Sequence, residues 1–307
     1  MELILASASG VEECVLNCEY DFEVGGTNTF ELTIPTGDWT GAIGFGKRVY
    51  SPGTEVGGIV NVIESDTAED VIRVRGTTWR GLLYKRLYNG TPSGDLHTVI
   101  RNMIGYSGDV LVVSNKSTGI NVTGVTFDYV SAGEAIDAIL KGYGYKLSMR
   151  YVQTDDAGYV AVEAVPATII TDEVSQDALL EFIITDDRSG VNHMICIKEG
   201  TVVAHLYADA NGNISQNQTY FGIDEVQDYF ESDKDDIIEE ATEQLAELTN
   251  RAEMSISVAD SADLSLSVGD YVTGHDFITG IEVTKQITSI IMTLRDNEET
   301  IEYLVEE

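Results

Sequence analysis

The side chains that could do chemistry are few and scattered. The 307-residue chain holds four histidines, His97, His193, His205 and His275. None sits in a His-Glu-x-x-His or His-x-His context, so no single helix or strand aims two imidazoles at one ion. Cys14 and Cys18 are spaced i, i+4, as helical ligands can be, but the surrounding Val11–Val24 reads as strand. No Gly-x-Ser-x-Gly elbow, phosphate loop or Gly-x-Gly-x-x-Gly follows a strand, and no nucleophile stands with a base. Asp155-Asp156 and Asp186-Asp187 read as turn residues in a chain this acidic. Asp209-Ala210-Asn211-Gly212-Asn213-Ile214-Ser215 starts like a calcium loop. Its sixth position is Ile214 where glycine is required, however, and its twelfth is Tyr220 where glutamate is required. Asn211-Gly212 reads better as a two-residue hairpin turn. The expectation is a protein with no catalytic, cofactor-binding or metal-binding residue, and hence not an enzyme.

Charge narrows the classes further. Fifty-two acidic residues oppose 18 basic ones, a formal charge of −34. Phosphate contacts need clustered Lys and Arg, so a general nucleic-acid surface is excluded and an anionic membrane disfavoured. Positive charge gathers at Arg73, Arg75, Arg80, Lys85 and Arg86. Such a cluster either pairs with acids of its own surface or complements an acidic face of another subunit. Arg73, Arg75, Arg80 and the nearby Trp79 are the candidate subunit-interface residues. Three cysteines, an odd number, suggest reduced thiols and assembly in a cytoplasm. The N-terminal Met1–Gly10 lacks a basic leader, and no apolar run reaches the ~18 residues of a membrane span. The sequons at Asn115, Asn121, Asn213 and Asn217 would then never meet glycosylation machinery.

The elements that must position these residues are mainly strands. Residues 1–88 alternate apolar and polar side chains at Phe30–Pro35, Gly57–Ser65 and Val71–Gly76, the pattern of a small barrel or sandwich. Asn89–Gly94 is a loop, and 89–165 reads as a small α/β domain. One helix there is capped by Asp95 and stopped at Gly105. A second starts at Ser131 with a capping box to Glu134 and ends at Gly142, and strands follow at Tyr145–Tyr151 and Tyr159–Val165. Residues 166–307 return to strands around an amphipathic helix at 233–251, whose first turn carries Asp233, Asp235 and Asp236. Strands are expected at Ser255–Val258, Ile278–Val283, Ile287–Leu294 and Thr300–Val305. The fold class is mainly β (α+β).

Two segments carry a resemblance. Gly57-Gly58-Ile59-Val60 runs through Val74-Arg75-Gly76-Thr77-Thr78-Trp79-Arg80-Gly81-Leu82-Leu83. Val268-Gly269-Asp270-Tyr271-Val272 is followed by Ile278–Ile281 and Lys285–Thr288. Together, in this order, they resemble the hub proteins at the tail tip of siphophages, related to baseplate hubs. The resemblance implies two small β-barrel tube domains, 1–88 and 166–307, with the α/β domain inserted between them. It implies a homotrimeric ring joining six-fold tail-tube or distal tail proteins to three-fold tip or fibre proteins, with DNA passing through unbound. The location implied is the virion tail tip. Some relatives continue into a hydrolase or receptor-binding extension, and the stop at Glu307, directly after the last expected strand, leads to the expectation that no enzymatic tip is carried here. The acids are expected to line the ring's channel, where they would repel DNA. The rival reading is a free-standing β-rich module that binds a cell surface or carbohydrate.

Overall fold

The computed structural model describes residues 1–105, 110–154, 157–170, 180–187, 189–209, 212–219, 222–249, 251–258, 266–275, 278, 280 and 282–306; of the side chains of 180–187, 251–258 and His275 nothing is said. By compactness the chain forms two units, one of 1–181, 256–273 and 284–306, the other of 182–255 and 274–283, with the terminal Glu307.

The first unit opens with β1 (Leu3–Ala6), β2 (Glu12–Leu16), β3 (Glu19–Val24), β4 (Thr29–Pro35), β5 (Arg48–Tyr50), β6 (Gly57–Asp66) and β7 (Val71–Thr78). A short α1 (Gly81–Tyr84) and β8 (Leu87–Gly90) follow, then β9 (Gly94–Asp95) and α2 (Leu96–Ile104). The chain continues through β10 (Leu111–Val113), β11 (Asn121–Val122), β12 (Phe127–Ser131) and α3 (Ala132–Gly142). Next come β13 (Tyr145–Gln153), β14 (Gly158–Pro166), β15 (Ile169–Ile170) and β16 (Leu180–Asp187). The second unit holds β17 (His193–Lys198), β18 (Thr201–Ala208), β19 (Ile214–Ser215), β20 (Gln227–Glu231) and α4 (Ile237–Leu248). The last strands are β21 (Arg251–Val258), β22 (Tyr271–His275), β23 (Glu282–Arg295) and β24 (Glu298–Val305).

The fold is mainly β, as expected. In the first unit an antiparallel path runs β21-β24-β23-β3-β4-β7-β6-β5-β1-β2 and joins the first strands of the chain to its last. Among the described residues no sheet closes on itself. The two expected barrels are therefore not shown: among the described residues β2 ends the path and pairs with β1. Strand β1 is buried at all four positions and serves two cores. Leu3 and Leu5 join Phe22, Leu32, Val49 and Val74, while Ile4 and Ala6 face the other way. That alternation is the period of a strand covered on both sides.

The α/β segment fills the second of these cores. β10 pairs parallel with β14, β14 antiparallel with β13, and α2 and α3 bury Leu96, Ile100, Ile136 and Leu140 against the sheet. Both helix starts follow the sequence signals. Asp95 caps α2 by accepting from the His97 N–H at 3.1 Å. Ser131 and Glu134 form the capping box of α3, with bonds of 3.1 and 3.0 Å. His97 then staples α2 to the sheet: it accepts from the Ala164 N–H at Nε2 (2.9 Å), so its Nδ1–H donates to the Lys116 carbonyl (2.6 Å).

In the second unit β17 lies between β18 and β20, antiparallel to the first and parallel to the second, with β19 beside β18. Helix α4 buries Ile237, Ala241 and Leu245 on Met194, Cys196 and Leu206. This helix spans 237–248, where the sequence predicts 233–251. The leading aspartates are spent on the loop instead, since Asp235 pairs with Lys198 at 2.7 Å and Asp233 accepts from the Glu199 N–H. At the other end residues 251 onward are strand. The predicted strand Ile278–Val283 also changes: Ile278 lies in a turn, and β23 begins at Glu282.

Candidate interaction surfaces

The Gly-rich hairpin and Trp-x-Gly-Leu-Leu run are explained by packing. Gly57 has φ +145°, and a Cβ there would come within 2.6 Å of the Trp79 Nε1. At Gly76 a Cβ would press 2.4 Å from the Phe30 ring. Both positions therefore admit only glycine. Trp79 is fully buried and stacks on Tyr151, centroids 5.5 Å apart, which stacks in turn on Tyr50 at 3.9 Å. This three-ring stack was not legible in the sequence, because its members come from positions 50, 79 and 151.

The four candidate interface residues divide into two settings. Arg73 and Arg75 lie on the outer face of β7, where register sets Glu31 opposite Arg75 and Glu64 opposite Arg73. Arg73 reaches Asp66 at 2.7 Å, Glu64 at 3.6 Å and Glu31 at 3.9 Å, and also contacts Glu69. Arg75 bridges Glu31 and Glu64, the latter at 2.9 Å. The hydrogen bond from Arg73 holds the Asp66 carboxyl below its usual range. An extra residue on β6, Asn61, bulges the pair between Val60 and Val62. Beside it lies a cleft of about 530 Å³ lined by Phe30, Glu31, Asn61, Val62 and Arg75.

Arg80 and Trp79 are instead core residues of this chain, enclosed by its own side chains. The Arg80 guanidinium donates to Glu55 at 2.8 Å and to the Leu147 carbonyl at 3.0 Å, with Asp137 at 3.6 Å. Burial alone would lower its pKa; Glu55 and then Asp137 outweigh it and raise it. Tyr84 donates to the same Asp137, and burial followed by that carboxylate pushes its phenol up.

The closing motif is also a packing device. Gly269 has φ +95° in a tight turn, and Asp270, buried, accepts from the Ser267 N–H (3.0 Å), the Thr168 N–H (2.8 Å) and the Lys146 ammonium (2.6 Å). Of the neighbouring residues in the motif, Thr279 and Ile281 lie outside the described residues.

Histidines 193 and 205 meet across the β17–β18 pair. His193 contacts Glu225 through Nδ1 (2.7 Å) and His205 through Nε2 (2.8 Å), and stacks on Tyr207 at 4.2 Å. The partners lie 12 and 32 residues away, so no local motif announces them. Among the described residues no group of three His, Cys, Asp or Glu side chains could hold a metal. Asp209 is used as a turn cap, accepting from the Asn213 N–H at 2.9 Å where β18 turns into β19; Asn211 lies outside the described residues, as do Asp155, Asp156 and Tyr220. No described helix is long and apolar enough to cross a membrane.

No family model matches this sequence, and no curated protein matches it. Solved structures do. The 43 kDa tail protein of prophage MuSo2 from Shewanella oneidensis is similar over 100% of this chain and 98% of its own, at 13% identity and TM-score 0.56. A chain of the phage P2 baseplate in its activated conformation matches over 98% of both chains, at 13% identity and TM-score 0.53. A prophage tail protein from Listeria monocytogenes covers 100% of this chain and 95% of its own, at 14% identity and TM-score 0.50. The chain therefore has the fold of phage tail and baseplate hub proteins.

Proposed function

We propose that this chain is a structural, non-enzymatic tail hub of a phage or phage-derived particle. Three copies close a ring that joins six-fold tail-tube or distal tail proteins to three-fold tip or fibre proteins, and DNA passes through without specific binding. The observation that carries this reading is the end-to-end likeness to a prophage tail protein over 100% of the chain. A free-standing binding module has no reason to keep that whole arrangement. The charge of −34 supports unhindered passage, because an acidic lumen repels phosphate that a basic one would trap. The hub works at the virion tail tip and assembles in the host bacterial cytoplasm, where Cys14, Cys18 and Cys196 stay unpaired. Electron-microscopic reconstruction of the purified protein at high concentration tests it. A three-fold ring with an acid-lined channel is expected; a monomer, another subunit count or a basic channel wall overturns it.

A further inference from the structure

Lys85 and Arg86 stand apart from the other members of the basic cluster. Both are exposed, and neither side chain makes an ion pair or hydrogen bond among the described residues. Two adjacent exposed cations without an acidic partner stand out on a chain of charge −34, where most other described cations have one. They lead directly into a two-stranded ribbon, β8 paired with β12. Tyr88 and Val130 turn inward to the core, which leaves Leu87 outward and 72% exposed.

Opposite them β12 bulges: register passes from Phe127↔Gly90 to Val130↔Tyr88, so Asp128 and Tyr129 together oppose Asn89. Tyr129 there has φ +52°, a left-handed conformation that bulky residues avoid, and its ring is 68% exposed. The strained backbone thus holds an aromatic ring in solvent on the strand paired with that of Leu87, as residues of a binding surface are held.

A complementary surface exists on the same molecule. Among the described residues β2 has no strand on its outer edge, and Val11 is 43% and Val15 57% exposed beside Glu12 and Glu13. Glu13 already pairs with Lys47 at 2.5 Å and Glu12 accepts from the Tyr50 hydroxyl at 3.2 Å, which leaves Glu12, among the described residues, as the carboxylate there without a cationic partner, beside apolar side chains that match those of the other face. We propose that the Lys85-Arg86-Leu87 and Tyr129 face docks on strand β2 of a second copy. The two patches differ, so the contact is head-to-tail, which closes a ring when the rotation between copies is a third of a turn and otherwise gives an open filament. The proposal rests on the ring reading above and names the surface that closes it.

Charge reversal with light-scattering mass at high protein concentration tests it, using thermal melting to confirm the fold of each variant. Wild-type protein is expected to be trimeric. Lys85→Glu with Arg86→Glu, and separately Leu87→Asp, are expected to give monomer. Adding Glu12→Lys to the first pair, with Glu13 kept for its own pair with Lys47, is expected to restore the trimer in part. A trimer indifferent to the reversal, or a loss that the compensating lysine does not repair at all, overturns the docking surface and leaves the ring standing. A wild-type monomer under every condition overturns both.

Discussion

Within eight residues of one hairpin, the same guanidinium group meets two different environments. Arg73 and Arg75 lie on an outer face among four carboxylates, in contact with water. Arg80 is sealed in the core with Glu55 and a backbone carbonyl. At the surface, charge pairs trade water for carboxylate at little net gain, whereas a buried charge must be answered fully or it destabilises the fold. The basic cluster visible in the sequence is therefore three things: a surface ladder, a core anchor, and the unpaired Lys85-Arg86. Only the last lacks an acidic partner among the described residues.

The comparison breaks most visibly at Arg80. Removing one partner of this buried pair, as in Glu55→Gln or Arg80→Met, is expected to cost about 3–5 kcal/mol. Removing both should cost less than the sum, because the groups are coupled. Urea unfolding of the two single variants and the double variant checks this, and additive losses would place Arg80 in the surface class. Trp79→Ala should rank beside it at about 3–5 kcal/mol, since it opens a cavity within the Tyr50–Tyr151 stack. That loss would appear in denaturant midpoints.

Asp95 sharpens the comparison from the side of a carboxylate. The hydrogen bond from Ser117, with those from Thr118 and His97, lowers its pKa to about 2. A depressed carboxyl contributes stability that is present above its unfolded pKa of about 4 and lost as pH falls toward the folded value. Asp95→Ala should cost about 1 kcal/mol at pH 7, through loss of the cap. The gap between variant and wild type should narrow between pH 4 and pH 2. A gap that persists at pH 2 would show that the cap works without its charge. The smallest effect is expected for Arg73→Gln. Its melting point should lie close to wild type and converge with it as salt is raised, because an exposed ladder is screened. A loss as large as that of Arg80→Met would erase the distinction.

Much of this was legible because its causes are local. Alternation at Phe30–Pro35 and Val71–Gly76 marked two central strands, and Asp95 and Ser131 marked the helix starts where they occur. The glycines at 57, 76 and 269 were recognisable as a pattern, and the structure supplies the reason, close approach by Trp79, Phe30 and Lys146. What could not be read depends on partners distant in the chain. Strand β23 pairs with β3, and the His193–His205–Glu225 cluster needs the sheet to exist first. Closure into barrels was expected from family resemblance, and no local signal could test it. The shortened helix α4 shows the limit of dipole arguments: Asp233 and Asp235 had better partners in the Lys198-Glu199 turn.

The central claim, that this fold serves as a ring-forming hub, is tested most directly by the symmetry of the assembled particle. Reconstruction of wild-type protein should yield three copies around an open channel whose wall is acidic. A stable monomer at high concentration, or a closed assembly without a channel, would contradict it.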